Sequence, residues 1–493
     1  MARVSKRSFI FFRLSPVRVN SFIAFAIEQG KTGKSFGVLS AKFETFERSL
    51  LTSKAKFPIH NLSQLVAGNF LNGIFKKRDF YGEGTLLVNV WDLYRDEVVL
   101  EETLERIKTT LEENDRFEAK EGDVFFCRSS LKPEGVGWSC LLEKLSEPAV
   151  FECHLIRARV NSKKILPSFL NYFARSYFGV SYIKAKSVVT TMATIDQGTL
   201  YNLPVICPPV EKQIEIVAAM DEARSQRKQK LADADALVSS LDQFILDTLN
   251  FRLPPPDNRK VYATTLSRMI GKRIDPYSNK PYFQKLFNAI QNSQHNILTL
   301  SNLSIRIFSG TTPLAKGDAY VDPPNGVRFI RSGEITTEGT VTPTSEVHIS
   351  DEIHTGKMKS SQLQKGDLLI AIVGATIGAV GIYNLHEPAN INQAIASVRL
   401  NNKEVLGEYI CWYLRSSIGQ RLLDYFKRPV ARANINLAEV GEIPIIIPDL
   451  QIQETIITEV YNRRSEAQRL RSEAETGWQA AKQWFEDQLL GGS

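Results

Sequence analysis

The sequence predicts an α+β protein of two tandem modules, each a mixed region of strands and short helices followed by one long helix. Three observations predict this fold class. The chain aligns with itself when shifted by 240 residues, several short segments alternate apolar and polar residues, and two segments of about 40 residues carry a narrow apolar stripe. We expect the two long helices to pair as an antiparallel coiled coil.

The internal repeat extends without gaps over the second half of each module. The aligned positions include Arg159 with Arg399, Arg175-Ser176 with Arg415-Ser416, Gly179 with Gly419, and Gln213 with Gln453. Upstream the offset changes by a few residues, as loop insertions would cause, so that Gly122-Asp123 aligns with Gly366-Asp367. The two modules therefore cover about 33–250 and 271–490.

The predicted elements follow the same order in both modules. A short helix (41–54; 281–293) precedes strands such as 85–90 and 367–373, then a helix (167–176; 407–416), an apolar strand (203–208; 443–448) and the long helix. Prolines 254–256 are expected to end the first long helix and so to separate the two modules. The predicted domains are a basic extension with the first short helix (1–56), a mixed domain (57–208), a long helix (209–252), a Pro-rich joint (253–272), a short helix with a second mixed domain (273–447), and a second long helix (448–493).

The stripe on each long helix alternates spacings of three and four residues, which is the seam of a coiled coil. Its predicted pairing residues are Leu231, Ala234, Val238, Leu241 and Ile245 in the first helix and Leu470, Ala474, Ala481 and Phe485 in the second. The alternative is a helix that lies across its own domain. Because the stripe recurs at the same place in both modules, pairing of the two helices is favoured.

Composition and charge narrow the functional class. The chain has 493 residues, 43% hydrophobic and 23% charged, and no apolar run approaches the roughly 18 residues of a membrane span. Five scattered cysteines without a CxxC pair favour a reducing compartment, and we expect a cytoplasmic protein. The net charge of +7 is concentrated in residues 1–56, where eleven Lys and Arg face three acids. A nucleic-acid surface elsewhere must therefore be a local patch.

The signatures of catalysis are incomplete. Residues 30–35 end like a phosphate-binding loop but lack its first glycine, and Asp322-Pro-Pro-Asn325 lacks the aromatic residue of an amino-methyltransferase site. The glycines of 374–381 predict a tight turn between strands. His154, His348, His354 and His386 have no acid or cysteine at ligand spacing in the pattern and are expected to be structural or solvated. We expect no catalytic, cofactor-binding or metal-binding residues.

The passage from strand to long helix resembles a known family. It has the form of an apolar strand followed by Pro-x-x-Glu/Gln-x-Gln-x-x-Ile, at 203–216 and again at 443–456. The second module adds Gly-Asp-Leu-Leu (366–369), Gly-Ala-Thr-Ile-Gly (374–378) and Asn392-Gln393. These features resemble the specificity (S) subunit of Type I restriction-modification systems. The first module departs from the pattern, with 128–135 in place of the glycine turn and Glu152-Cys153-His154 in place of Asn-Gln.

The resemblance implies two target-recognition domains and two conserved helices in a non-catalytic subunit of a bacterial defence complex. It implies that the chain reads a bipartite double-stranded DNA target, one half-site per module. It also implies two methyltransferase (M) subunits and restriction/translocase (R) subunits as partners. The assembled complex would have DNA adenine-N6 methyltransferase and ATP-dependent endonuclease activity, with S-adenosylmethionine, ATP and Mg²⁺ in the partners. The alternative is a stand-alone DNA-binding or coiled-coil scaffold protein without methyltransferase partners.

Contacts with phosphates and base edges require basic and polar side chains on loops. The candidates in the first module are Lys76, Lys77, Arg78, Arg128, Ser129, Lys132, Lys184 and Lys186. The candidates in the second module are Lys316, Arg328, Arg331, Lys357, Lys359, Arg428 and Arg432.

Overall fold

The computed structural model describes residues 54–189, 192–257, 259, 261–265, 273–313, 319–401, 405–428 and 433–491. These residues form two compact units. Unit 1 contains the described residues up to Gln229 and those from Ala474 onward, and unit 2 contains Lys230–Glu473. Each unit thus combines segments from both sequence modules. The predicted helix 41–54 lies outside the described residues except for its last position, and the incomplete phosphate loop lies wholly outside them.

Unit 1 combines short helices with short strands. Its helices are α1 Leu111–Arg116, α2 Pro167–Arg175, α3 Tyr177–Lys186, α4 Gln197–Tyr201 and the first part of α5 Val210–Ser239. Its strands are β1 Ile59–Asn61, β2 Leu71–Asn72, β3 Tyr81–Val88, β4 Glu105–Ile107, β5 Glu118–Ala119, β6 Asp123–Cys127, β7 Ser129–Ser130, β8 Ser139–Leu141, β9 Ala149–Phe151, β10 Leu155–Arg159, β11 Val188–Val189, β12 Ala193–Thr194 and β13 Pro204–Ile206.

The strands of unit 1 form two four-stranded sheets, ordered β2-β10-β6-β8 and β4-β3-β9-β5. Strands β3 and β9 are parallel, and the other neighbours are antiparallel. A three-stranded sheet β11-β12-β7 and the pair β1-β13 complete the unit. Phe125, Phe126 and Phe151 are fully buried, because β6 and β9 have protein on both faces.

Unit 2 is also built from short helices and short strands. Its helices are α6 Leu241–Thr248, α7 Pro281–Gln291, α8 Leu300–Leu303, α9 Asp351–Thr355, α10 Gly407–Arg415, α11 Ser417–Phe426, α12 Leu437–Gly441 and the first part of α13 Leu450–Leu489. Its strands are β14 Asn296–Thr299, β15 Ser304–Ser309, β16 Tyr320–Val321, β17 Val327–Ile330, β18 His348–Ile349, β19 Leu368–Ala371, β20 Val380–Ile382, β21 Ala389–Ile391, β22 Ile395–Leu400 and β23 Pro444–Ile447.

The sheets of unit 2 repeat those of unit 1 in part: one four-stranded sheet has the same order, and the other shares a parallel pair with one antiparallel neighbour. Strand β16 has no counterpart among the strands of unit 1, and β5 is represented in unit 2 only by the isolated bridge between Gln362 and Asn390. Their orders are β15-β22-β19-β20 and β16-β18-β17-β21, and β14 pairs with β23. The second sheet again contains one parallel pair, β17 with β21. Mixed helix and sheet, predicted from the patterns, is therefore confirmed, and the internal repeat is in part a repeat of topology.

A buried ion pair fixes the central strands in the same way in both units. Arg159 Nε lies 2.7 Å from Asp123 Oδ1, and Arg399 Nε lies 2.9 Å from Asp367 Oδ1. In both pairs a second guanidinium nitrogen lies 2.7 Å from the other carboxylate oxygen. Such two-point pairing fixes the register of β10 on β6 and of β22 on β19.

The glutamine of the strand-to-helix signature joins three segments. Gln213 is fully buried; its Oε1 accepts the Leu166 N–H at 2.8 Å, and its Nε2 donates to the Pro208 carbonyl at 2.8 Å. Gln453 makes the same two contacts with Leu406 and Pro448, both at 2.9 Å. One side chain therefore pairs a backbone N–H just before α2 or α10 and a backbone carbonyl just before the long helix.

Glycines bring the two helices after the sheet together. A Cβ at Gly179 would lie 2.5 Å from the Ala174 carbonyl oxygen, and one at Gly419 would lie 2.4 Å from the Tyr413 oxygen. Only glycine allows α3 to turn back so closely on α2, and α11 on α10. The helices α3 and α11 were absent from the sequence prediction, which placed only α2 and α10 in this region.

The two long helices contact each other within each unit, and in unit 2 their segments run in opposite directions. In unit 2, Lys230 pairs with Glu473 at 3.0 Å, Asp235 with Arg471 at 2.8 Å, and Ser240 Oγ accepts from Arg463 at 2.8 Å. Residue numbers rise along one helix as they fall along the other. In unit 1 the Arg227 guanidinium lies 5.7 Å from the Trp478 ring centre.

The stripe residues lie on the inner side of these helices to different degrees. Ala234, Leu241, Ile245, Ala474 and Phe485 are buried, whereas Leu231, Val238, Leu470 and Ala481 are half-buried. The predicted 40-residue first helix is divided at Ser240 into α5 and α6. Across the described part of the chain, none of the helices combines the length and the apolarity that a membrane span requires.

Candidate DNA-binding surface

Three basic segments of unit 1 are linked by backbone contacts at one edge of the sheets. Ile74, which precedes Lys76-Lys77-Arg78, bridges to Glu152 after β9. The Arg128 N–H donates to the carbonyl of His154 at 2.6 Å. Strand β7, which begins at Ser129, pairs with β12, and β12 pairs with β11, the strand that follows Lys186. Backbone contacts therefore connect the three segments that contain the candidate residues of the first module.

The first of these groups is largely engaged by acids. Lys76 lies 2.7 Å from Glu113, and its ammonium also lies over the Phe80 ring at 4.9 Å. The hydrogen bond from Lys76 lowers the pKa of the Glu113 carboxyl. Arg78 lies 4.0 Å from Glu105 and 5.1 Å from the Tyr81 ring, whereas Lys77 is exposed. DNA phosphates would compete with carboxylates at two of these three positions.

The remaining candidates of unit 1 lie on the small sheet and the helix beside it. Arg128 and Ser129 are half-buried, and Lys132 is exposed in the turn after β7. Lys184 is exposed and Lys186 half-buried in the last turn of α3. The loop after β7 contacts α3 directly, because a Cβ on Gly137 would lie 2.1 Å from the Ile183 side chain. Basic groups from two elements thus border one surface.

In unit 2 the described candidates surround the parallel pair β17-β21 and the turn after β19. Arg328 Nε lies 3.3 Å from Glu387, and Arg331 is exposed directly after β17. Lys357 and Lys359 are exposed beside Met358, whose carbonyl accepts from Asn390 on β21 at 2.8 Å. Of the remaining three candidates, Arg428 pairs with Glu439 at 3.1 Å. Lys316 and Arg432 lie outside the described residues.

Two exposed apolar side chains lie within the basic segments of unit 1. Phe75 is 74% exposed beside Lys76, and Leu131 is 78% exposed beside Lys132. Neither residue is recognisable from the sequence, because a single apolar residue in a loop forms no pattern. Exposed apolar groups among basic ones are typical of surfaces that bind nucleic acid or protein.

One prediction about histidine is wrong. His154 does have an acid and a cysteine within reach: its Nδ1 lies 2.9 Å from Glu152 Oε2 and 3.5 Å from Cys153 Sγ. Here a turn brings the ligand atoms of three consecutive side chains within 4.8 Å of one another. Burial, reinforced by the Glu152 charge, raises the pKa of the Cys153 thiol to about 11.

The turns that the sequence predicts in unit 2 are present. Gly374 and Gly378 have φ of 89° and 92°, and the Gly378 N–H donates to the Ala371 carbonyl at 2.9 Å. Asn325 N–H donates to the Asp322 carbonyl at 3.1 Å, so this Pro-Pro segment is a turn before β17. Both segments therefore form turns that reverse the chain.

Comparisons with known proteins agree with this arrangement. Residues 305–460 match the family model of the Type I restriction modification DNA specificity domain. The chain is 25% identical over 317 residues to the Type I restriction enzyme EcoBI specificity subunit of Escherichia coli, covering 64% of this chain and 62% of that protein. It is also 25% identical over 190 residues to the StySPI specificity subunit of Salmonella potsdam, covering 38% and 41% of the two chains. The matched regions thus span less than two thirds of either relative.

A solved structure shows the same fold. That structure concerns complex assembly and conformational transition of the type I R-M system. It superposes on this chain with a TM-score of 0.55 at 16% sequence identity. The superposition covers 89% of this chain and 99% of that one. The resemblance predicted from the strand-to-helix signature is therefore confirmed: residues 305–460 match the model of the Type I restriction modification DNA specificity domain, and the chain is similar to Type I restriction enzyme specificity subunits.

Proposed function

We propose that this chain is the DNA-recognition subunit of a Type I restriction-modification complex and reads a bipartite target, one half-site per unit. The main support for this proposal is that both units repeat the same core contacts but carry different loops. The strand order of one sheet, the buried Asp–Arg pairs and the glutamine contacts recur in both units, whereas 128–135 and 374–378 differ. Two unlike half-sites require two unlike surfaces on comparable supports.

In this proposal the long helices form an antiparallel coiled coil that sets the unread gap between the half-sites. The cross-helix contacts within each unit support it, because partners on α13 move backward as those on α5 move forward. The burial of Ala234 and Ala474 supports it further, since small seam residues allow close approach of two helices. A spacer of this kind fixes half-site separation as dimer geometry does in other DNA-binding proteins.

The chain itself would be non-catalytic. Two adenine methyltransferase subunits would be positioned by the helical region, and restriction/translocase subunits would join for cleavage. S-adenosylmethionine, ATP and Mg²⁺ would be bound by those partners. A methyltransferase must turn its adenine out of the stack, so the recognition subunit has to hold the duplex in register while this happens. Such a complex would act in the cytoplasm, where the DNA is.

The decisive experiment is co-expression of the chain with its genomic neighbours, followed by mapping of methylated adenines. We expect two short methylated half-sites separated by a constant gap, and no methyl transfer by the purified chain alone. Methylation by the chain alone would overturn the non-catalytic assignment. Salt-sensitive DNA binding without copurifying methyltransferase would indicate a stand-alone DNA-binding protein, and absence of DNA binding would indicate a coiled-coil scaffold.

A further inference from the structure

The turn after β9 differs chemically from its counterpart in unit 2 while its backbone is the same. The Glu152 N–H donates to the Val88 carbonyl at 3.1 Å, and Leu155 N–H donates to the Glu152 carbonyl at 3.0 Å. In unit 2 the Asn392 N–H donates to Ile330, and Ile395 donates to Asn392, both at 3.3 Å. The side chains in this turn are Glu152-Cys153-His154 in unit 1 and Asn392-Gln393-Ala394 in unit 2.

The same side-chain cap also recurs at the first position of each turn. Glu152 Oε2 accepts the His154 N–H at 3.1 Å, as Asn392 Oδ1 accepts the Ala394 N–H at 3.1 Å. An asparagine therefore suffices to hold the turn. The carboxylate, thiol and imidazole of unit 1 are additional to what the fold needs, and they converge: one ligand atom from each lies within 4.8 Å of the others.

The separations of these atoms match the edges of a metal coordination tetrahedron. Zn²⁺ bonds of about 2.3 Å to sulfur and about 2.0–2.2 Å to nitrogen and oxygen place the ligand atoms about 3.5 Å (S to N), about 3.6 Å (S to O) and about 3.4 Å (N to O) apart. The observed values are 3.5 Å, 3.6 Å and 2.9 Å. Only the imidazole–carboxylate distance, which is now a hydrogen bond, has to open by about half an ångström.

We infer that Glu152 Oε2, Cys153 Sγ and His154 Nδ1 form a binding site for a borderline-soft divalent cation, with Zn²⁺ as the best fit. Thiolate with imidazole selects such cations over Mg²⁺ and Ca²⁺, which prefer oxygen ligands. The His154 side chain is 46% exposed, so the fourth position faces solvent. Backbone contacts link the site to Ile74, which precedes Lys76–Arg78, and to Arg128. The inference does not depend on DNA binding.

Metal titration of the reduced, metal-free full-length chain tests this site. Co²⁺ is the probe, because a cobalt–thiolate bond gives a charge-transfer band and tetrahedral Co²⁺ gives strong visible bands. We expect one equivalent to bind, and Zn²⁺ to displace it. The variant E152N/C153Q/H154A copies the turn of unit 2 and should weaken binding by at least about 10- to 100-fold, the loss that removal of even an outer-shell partner causes.

Two further variants keep the result interpretable. C207S removes another half-buried cysteine and should leave the cobalt spectrum unchanged. The reciprocal variant N392E/Q393C/A394H should create a second equivalent in unit 2, since the backbone there has the same hydrogen bonds. The inference is overturned if no thiolate band forms at one equivalent, or if E152N/C153Q/H154A binds as wild type does. Oxidation of Cys153 by peroxide without Co²⁺ binding would also overturn it and would indicate a redox thiol.

Discussion

Units 1 and 2 share the strand order of one sheet, the ion pair of a buried aspartate and the glutamine contacts, yet the loops they support differ. After β6 the chain of unit 1 forms β7 and a basic turn, whereas after β19 the chain of unit 2 reverses through Gly374 and Gly378. The shared parts are those where buried polar groups must find partners. The loops are free of that requirement, so they can diverge without cost to the core.

The largest expected effect comes from exchanging a whole recognition domain. Replacing residues 57–200 with the equivalent domain of a relative should change one half of the methylated site and leave the other half intact, because each unit has its own sheets and core. Methylated-adenine mapping of the coexpressed complex measures this. A change in both halves would show that the units do not read independently.

A change in spacer length should alter the gap and leave both half-sites unchanged. One heptad inserted near Leu231 and one near Leu470 would add roughly 10.5 Å at about 1.5 Å per residue, with a rotation of only about 20°. At about 3.4 Å per base pair this lengthens the gap by roughly three base pairs.

The control for this prediction is a four-residue insertion at the same two positions. It should reduce methylation more than the heptad does, because it moves the apolar seam out of register. An unchanged gap with full activity in the heptad variant would contradict the coiled-coil spacer.

The long helices contribute side chains of different size to the two units. Truncating these side chains to alanine should therefore cost the two units unequal amounts of stability. Trp478 is 6% exposed and lies 6.4 Å from the Tyr172 ring in unit 1, whereas Val238, at the corresponding position of the repeat, is only half-buried in unit 2. W478A should lower the free energy of unfolding by roughly 3–5 kcal/mol and V238A by about 1 kcal/mol. Urea unfolding measures both, and equal losses would contradict the comparison.

Substitution of the signature glutamines should affect the two units equally. Q213A and Q453A each leave a buried N–H and a buried carbonyl without their partner, which costs roughly 2–4 kcal/mol. Q468A, at an exposed position of the same long helix, is the matched control and should change stability little. If only one of the two variants lost stability, the glutamine would not stabilise both units equally, although its hydrogen bonds are the same in both.

The smallest effect is expected at the cross-helix ion pairs. Lys230 and Glu473 are 38% and 39% exposed, so K230A should change the free energy of unfolding by at most about 1 kcal/mol. The change should shrink as salt is added. Thermal melts at low and high salt measure it, and a larger salt-independent loss would indicate that Lys230 contributes mainly through packing.

The sequence could predict the parts of the fold whose residues recur. Helix α2, predicted over 167–176, begins at Pro167 and ends at Arg175, and the strand predicted over 443–448 is β23. Arg159, Asp123 and Gln213 were visible as matches between the modules, although their hydrogen bonds were not. Helices α3 and α11 escaped prediction because they follow a single-residue break at Ser176 and at Ser416.

The candidate surface was predicted less fully, for physical reasons. Lys76, Arg78, Arg328 and Arg428 are indistinguishable in sequence from free basic residues, but each has an acid within 4.0 Å that comes from another part of the chain. The Glu152-Cys153-His154 turn was dismissed because it matches no spacing pattern. Proximity of charges and ligands is set by tertiary structure, which periodicity does not encode.

Unit 1 buries side chains that are synthesised long after its own sheets. Phe485 lies 5.6 Å from Phe169, and Tyr177 N–H donates to Glu486 at 2.7 Å. Roughly 260 residues separate Gln229 from the end of this segment, which takes a ribosome about 10–50 s at 5–20 residues per second. During that interval the aromatic face of α2 remains uncovered on the nascent chain. A transcript cut short before codon 474 would thus yield an incomplete first unit despite an intact first half, and such products should be targets for chaperones and proteases.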